Sequence, residues 1–119
     1  MPQKEKWKIV YYESTNGSFP IYEFINGLEA RAKSKVINTL DYLEIYGTRL
    51  GLPHVKKVTR TDLWELRILG SDNIRIFYVA TFGRTFLLLH GFVKKSPKTP
   101  NKEIKIAVAR LKEYKSRSS

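Results

Sequence analysis

Charged side chains interrupt the most apolar stretch of the chain at regular positions. Residues 62–95 read DLWELRILGSDNIRIFYVATFGRTFLLLHGFVKK, and five positions in them carry groups that can do chemistry: Glu65, Arg67, Arg75, His90 and Lys94. A guanidinium group presents a fork of donors that matches phosphate oxygens. Carboxylate and imidazole groups can move protons. If the fold brings them together, these residue types indicate chemistry on a phosphodiester.

The spacing of this stretch predicts three β-strands, near Leu63–Leu69, Ile74–Ala80 and Thr85–Val93. Strand side chains alternate between faces, so each strand has one apolar face and one mixed face. The apolar faces are expected to pack on helices. The mixed faces hold Glu65 and Arg67 on the first strand, Arg75, Phe77 and Val79 on the second, and Phe86, Leu88, His90, Phe92 and Lys94 on the third.

Hairpin register decides whether the mixed faces align. A two-residue turn at Gly83-Arg84 places Phe77 opposite His90. An odd loop around residues 70–72 places Arg75 opposite or beside Arg67. An even loop would bury an unpaired guanidinium, which costs several kcal/mol at order of magnitude. We therefore expect Arg67 and Arg75 side by side on the uncovered surface of the sheet.

Two adjacent arginines repel each other unless they share an anion, and a phosphate suits that arrangement. Phe77 and Phe92 are candidates for stacking on single-stranded RNA bases, and Lys95, Lys98 and Lys102 are candidates for binding the RNA backbone. Structural interpretations stay open. Glu65 and Arg67 are also consistent with salt bridges on a solvated face, and His90 with a structural role. The two phenylalanines are also consistent with a surface that the last helix covers, and the lysines with a solvated loop.

Other elements must position this face. The sequence predicts a strand at Trp7–Glu13, a helix capped by Ser18, a break near Ala30 and a second helix that stops at Gly47. A short strand near Val55–Val58 is possible in the connector. The last helix begins near Pro100 or Asn101 and carries Ile104, Ala107, Val108 and Leu111 on one face. Residues 1–119 are expected to form one α+β domain, a small antiparallel sheet packed against an N-terminal helical hairpin and a C-terminal helix, in the order β-α-α-β-β-β-α.

Composition favours an anionic partner. The 119 residues carry a formal net charge of +11, and residues 94–119 hold 9 basic and 2 acidic side chains. Such an excess is typical of nucleic-acid binding. The chain has no cysteine and only two histidines, His54 and His90, so thiol chemistry is excluded and a protein-only metal site is not expected. No signal or membrane-spanning run is present, which predicts a soluble, cytoplasmic protein. No cofactor is expected.

Several motifs together are similar to one known family. LWELR (63–67), IRIFY (74–78) and LLHGFVKKSPKTPNKEIKIAVARLKEY (88–114), with LDYLEIYG (40–47) and LPHVKKV (52–58), resemble the HigB-like, phage-related branch of the RelE/ParE toxin superfamily. The resemblance covers nearly the whole chain. It implies a type II toxin held inactive by a cognate antitoxin, commonly one with a helix-turn-helix domain. It also implies a small antiparallel sheet flanked by helices.

The activity that this resemblance implies is metal-independent, ribosome-dependent cleavage of mRNA. The 2′-hydroxyl attacks the adjacent phosphorus, which requires a base, an acid and cations for the developing charge. The family's basic residues correspond to Arg67, Arg75, Lys94 and Lys95; Glu65 or His90 is the candidate base, and His90 or a lysine the candidate acid. Two alternatives remain, a non-catalytic toxin such as a DNA gyrase inhibitor of the ParE type, and a basic nucleic-acid-binding module.

Overall fold

The computed structural model describes residues 5–71 and 73–117. Its elements follow the predicted order, with the short strand of the connector added. They are β1 (Lys8–Tyr11), α1 (Pro20–Asn26), α2 (Ala30–Tyr46), a 3-10 turn (Gly47–Arg49), β2 (Val55–Lys57), β3 (Trp64–Arg67), β4 (Ile74–Thr81), β5 (Thr85–Val93) and α3 (Asn101–Arg117). The α+β class expected from the sequence is confirmed.

The five strands form one sheet in the order β1-β5-β4-β3-β2. Strands β2 to β5 are antiparallel, as expected, but β1 runs parallel to β5 at the edge of the sheet. The expectation of a purely antiparallel sheet is therefore wrong for β1. Parallel neighbours need a long connection between them. The helices and three strands that separate β1 from β5 in the chain provide it.

Helices α1 and α2 cover one face of this sheet, and two glycines permit the close packing. A Cβ at Gly91 of β5 would lie 2.6 Å from Cδ2 of Phe24 in α1. At Gly47 a Cβ would lie 2.1 Å from Nε1 of Trp7, and the φ of +57° favours glycine there. Gly47 ends α2 as predicted. Ser18 does not cap α1, because Phe19 occupies the N-cap position and the Ser18 hydroxyl pairs with that of Ser14.

Helix α3 packs on the opposite face, against β4 and β5. Ala107 is fully buried and Leu111 is 8% exposed, so both face the sheet as the spacing predicts. Val108 was expected beside them but is 42% exposed. Glu103 and Arg110 contact the sheet instead. The inner surface of α3 is consequently more polar than its sequence pattern suggests.

The hairpin between β4 and β5 differs from the expected two-residue turn. Thr81 pairs with Thr85, so residues 82–84 form a three-residue loop, and an irregularity between Phe77 and Tyr78 restores the register further along. Phe77 lies opposite His90 as predicted, while Tyr78 lies opposite Leu88. Phe77 and Tyr78 point to opposite faces. Leu88 and His90 are therefore on opposite faces too. The mixed face expected for β5 holds for His90 and Phe92, but it does not include Leu88 and Phe86, which precede the irregularity.

Candidate functional site

Two rows of paired residues cross the sheet on the face covered by α3. One row joins Arg67, Arg75 and Phe92, and the next joins Glu65, Phe77 and His90. Directly paired residues share a face. The alignment predicted from hairpin register is therefore confirmed for these six residues. In particular, the odd loop before β4 places the two arginines opposite each other.

Arg75 is buried rather than open to solvent. Its residue exposure is 8%; Nε lies 3.6 Å from Oε1 of Glu65, and Nη1 donates to the carbonyl oxygen of Ile74 at 3.1 Å. Within residues 5–71 and 73–117, no group accepts a hydrogen bond from Nε. Burial lowers the pKa of Arg75, Glu65 raises it and Arg67 lowers it further. The expected pair of uncovered guanidinium groups thus becomes a half-buried Arg67 beside a buried Arg75.

Glu65 is not a solvated carboxylate. It is 6% exposed, and its second oxygen, Oε2, accepts a hydrogen bond from the Thr99 hydroxyl at 3.3 Å. Thr99 lies in the loop that precedes α3. The carboxylate therefore joins three segments: β3, which carries it; β4, through Arg75; and the loop before α3. The open hypothesis of a Glu65–Arg67 salt bridge is replaced by a buried contact between Glu65 and Arg75.

His90 is held by two side chains of α3. Its Nε2 lies 2.8 Å from Oε1 of Glu103, and its Nδ1 lies 3.4 Å from Nη1 of Arg110. The same Nη1 donates to the carbonyl oxygen of Leu89 at 2.9 Å. Burial lowers the pKa of His90, the hydrogen bond with Glu103 partly offsets this, and Arg110 lowers it again. Both ring nitrogens are thus engaged within the protein.

The two phenylalanines do not form a base-stacking surface. Phe77 is fully buried and Phe92 is 5% exposed. Their ring centroids lie 5.1 Å apart, and the His90 ring stacks on Phe92 with centroids 5.6 Å apart. The predicted stacking role is wrong in this structure because α3 covers this face. Their rings instead form a buried apolar layer next to the polar side chains of this face.

The lysines lie at the edge of this face. The backbone N–H of Lys94, a half-buried residue, donates to the carbonyl oxygen of Asn73 at 2.8 Å, which fixes the end of β5 beside the β3–β4 turn. Lys95 and Lys98 are exposed in the following loop, and Lys102 is exposed in the first turn of α3. Four amino groups are therefore available on the segment that contacts Glu65 through Thr99.

Three further polar residues lie on or against this face and were missed from the sequence. Lys56 of β2 is exposed and pairs directly with Glu65, which extends the second row to the edge of the sheet. The alternation of VKK could have indicated this, because Val55 is buried and its neighbour must face the other way. Glu103 and Arg110 are seven residues apart, two helical turns, so they share a face of α3. Their position among apolar residues was the available signal.

Metal and membrane features are absent from the described part of the chain. No group of three or more His, Asp, Glu or Cys side chains lies close enough together there to hold a metal ion. In those same residues no helix is both long and apolar enough to cross a bilayer.

Comparison of the sequence with known protein families identifies the family of this chain. Residues 23–112 match the family described as phage derived protein Gp49-like (DUF891). The chain belongs to this family. Gp49-like proteins are a RelE/HigB-like toxin family of toxin–antitoxin systems. The match runs from α1 into α3 and includes Arg67, Arg75 and His90. No curated protein matches the sequence.

Proposed function

We propose that this Gp49-like protein is the toxin of a type II toxin–antitoxin system and that it cleaves ribosome-bound mRNA without a metal ion. The observation that carries the proposal is the direct pairing of Arg67 with Arg75, where a buried Nε has no hydrogen-bond acceptor among the described residues. That Nε lies within ion-pair distance of Glu65 but 3.6 Å from its Oε1, so the buried site retains a donor whose hydrogen bond is not made. A site that retains one is expected to gain an acceptor when its ligand binds.

A phosphodiester supplies that acceptor. Glu65 can neutralise only one of the two guanidinium groups, so the pair keeps a net positive charge. A phosphate placed between Arg67 and Arg75 removes their mutual repulsion and accepts charge-assisted hydrogen bonds. Exclusion of water by α3 strengthens such an interaction. Electrostatic stabilisation of this kind is often the largest single contribution to catalysis.

The proposed reaction is attack of a ribose 2′-hydroxyl on the adjacent phosphorus. The new bond joins the 2′-oxygen to phosphorus, and the bond to the 5′-oxygen breaks, which leaves a 2′,3′-cyclic phosphate. Glu65 or a group of the ribosome takes the 2′-hydroxyl proton. The ammonium of Lys56, on this face, or of Lys94, directly after β5, gives a proton to the 5′-oxygen. Arg67 and Arg75 stabilise the charge that develops on the phosphoryl oxygens.

The exposed lysines of the C-terminal quarter bind the phosphate backbone of RNA. Residues 94–119 carry a net charge of +7, against +4 for the 93 residues that precede them. Contacts of this kind are sequence-independent and weaken steeply with salt. The ribosome then orients the mRNA in line for attack, which converts a bimolecular step into a positioned one. The cognate antitoxin neutralises the toxin by covering part of this basic face.

Primer extension on cellular mRNA after induced expression tests the proposal. Cuts inside translated reading frames are expected with the wild-type protein and not with Arg67→Ala. Arg31→Ala is the matched control, because it removes an exposed arginine from α2, on the other side of the sheet. Intact mRNA together with trapped gyrase–DNA complexes would overturn the proposal in favour of a non-catalytic toxin.

A further inference from the structure

We propose that His90 is a positioning residue, held as a neutral imidazole between Glu103 and Arg110, and that this three-residue clamp fixes the start of α3, with Lys102, against this face of the sheet. The inference rests on the proposed function only for what the clamp positions. The clamp itself follows from contacts within the free protein. Because it removes His90 from proton transfer, it changes the roles expected for the residues of this face.

The donors and acceptors around the ring allow one tautomer. An arginine side chain only donates hydrogen bonds. The Nη1 group of Arg110 lies 3.4 Å from Nδ1, so this nitrogen must present its lone pair. The proton of a neutral imidazole is then on Nε2, where Oε1 of Glu103 accepts it at 2.8 Å. A protonated ring would place an N–H against a guanidinium.

The ring is enclosed as well as paired. The His90 and Glu103 side chains are 12% and 15% exposed. Phe92 stacks on the ring from the same strand, and Phe77 lies opposite His90 on β4. Glu103 and Arg110 are the charged groups that act on the ring, and both come from α3. No ring nitrogen is left for a ribose or phosphate while α3 stays in this position.

The clamp positions the segment that carries the lysines. Glu103 lies in the first turn of α3, and Thr99 and Lys102 lie within four residues of it. The contact at Glu103 therefore fixes the start of α3, and the Thr99 hydrogen bond fastens the preceding loop to Glu65. Arg110 lies two turns later and donates to the carbonyl oxygen of Leu89. Two contacts on one helix face oppose rotation of α3 about its axis.

NMR of the imidazole nitrogens in the free protein tests the clamp without RNA. We expect the Nε2–H tautomer in the wild-type protein. Arg110→Ala should raise the pKa of His90, because it removes a cation and some burial. Glu103→Gln should keep the tautomer, since the amide oxygen accepts the same bond, but should lower the pKa. Lys112→Ala removes an exposed cation from the same helix and should leave the ring unchanged. An Nδ1–H tautomer, or equal shifts from Lys112→Ala and Arg110→Ala, would overturn the clamp.

Cleavage by the same variants tests the positioning role. With purified translating ribosomes, the pH profile of cleavage should stay the same in Arg110→Ala and Glu103→Gln, although the two changes move the pKa of His90 in opposite directions. A profile that follows those movements would make His90 a catalytic acid or base and would overturn the inference. If the wild-type protein cleaves nothing, the proposed function fails, and the NMR experiment still decides whether the clamp exists.

Discussion

Arg67 and Arg75 are direct partners across β3 and β4, and of the two only Arg75 has a carboxylate within ion-pair distance among the described residues. This asymmetry gives the two arginines different expected roles, one in the stability of the fold and one in binding. Arg75 is buried and also supports the structure around Glu65. Arg67 is half-buried and, under the proposed function, binds the phosphate. The two arginines should therefore respond differently to replacement.

Arg67→Ala should abolish growth inhibition while the protein stays folded. The side chain makes no ion pair among the described residues, so its loss should change the free energy of unfolding by less than about 1 kcal/mol. Growth after induced expression and urea unfolding of the purified variant check the two parts. Arg31→Ala should remain toxic. Full toxicity of Arg67→Ala would remove this residue from the site.

Arg75 and Glu65 should be strongly coupled in stability. Removing one partner of a buried ion pair leaves the other charge uncompensated and typically costs about 3–5 kcal/mol. We expect Arg75→Gln and Glu65→Gln each to destabilise the protein, and the double variant to cost less than the sum of the two. A double-mutant cycle from urea unfolding measures this. Additive effects would show that the 3.6 Å contact contributes little.

Sequence reasoning predicted which of these side chains share a face because period-two alternation and an odd loop between β3 and β4 determine it. Those rules placed Arg67 opposite Arg75 and Phe77 opposite His90 without coordinates. The second alignment is correct although the assumed turn was not: a three-residue loop and an irregularity near Phe77 compensate for each other. Strand pattern alone cannot reveal such compensation.

What covers the site could not be read in the same way. The pattern of α3 predicts an apolar stripe but not the sheet face that receives it. Phe77 and Phe92 therefore stayed open between stacking on RNA bases and cover by the last helix, and α3 in fact buries them. Glu103 and Arg110 were missed for a related reason. A charged residue beside an apolar stripe usually lies in solvent, and only its partner, here His90, shows otherwise.

Acid should destabilise the protein through His90. Burial holds the pKa of His90 below its ordinary value of 6.5, so the unfolded chain binds the proton more readily than the folded one. This contribution is complete above that ordinary value and is lost as the pH falls through the folded pKa. Urea unfolding at about pH 7.5 and about pH 5 should show less loss for His90→Gln than for the wild-type protein. His54→Gln is the control, and an equal loss in all three proteins would contradict the prediction.

The lysines of the C-terminal segment should set the salt dependence of RNA binding. For single strands the slope of log K against log salt is about −0.7 per neutralised phosphate. Lys98→Ala and Lys102→Ala should each reduce the slope by about 0.7, as measured by titration with a short RNA over a range of salt concentrations. Lys33→Ala on α2 should leave the slope unchanged. Equal effects at all three positions would mean that overall charge, rather than this segment, binds RNA.

Replacement of Gly91 by alanine should destabilise the protein unless the side chain at position 24 is also made smaller. It lies between His90 and Phe92, and a Cβ there would come within 2.6 Å of the Phe24 ring. Gly91→Ala should lower the free energy of unfolding by about 1–3 kcal/mol, as other overpacked positions do. Phe24→Leu leaves more room for the new methyl group, so in that background the same change should cost clearly less. Equal costs of Gly91→Ala with Phe24 and with Leu at that position, measured by urea unfolding, would show that α1 does not restrict this strand.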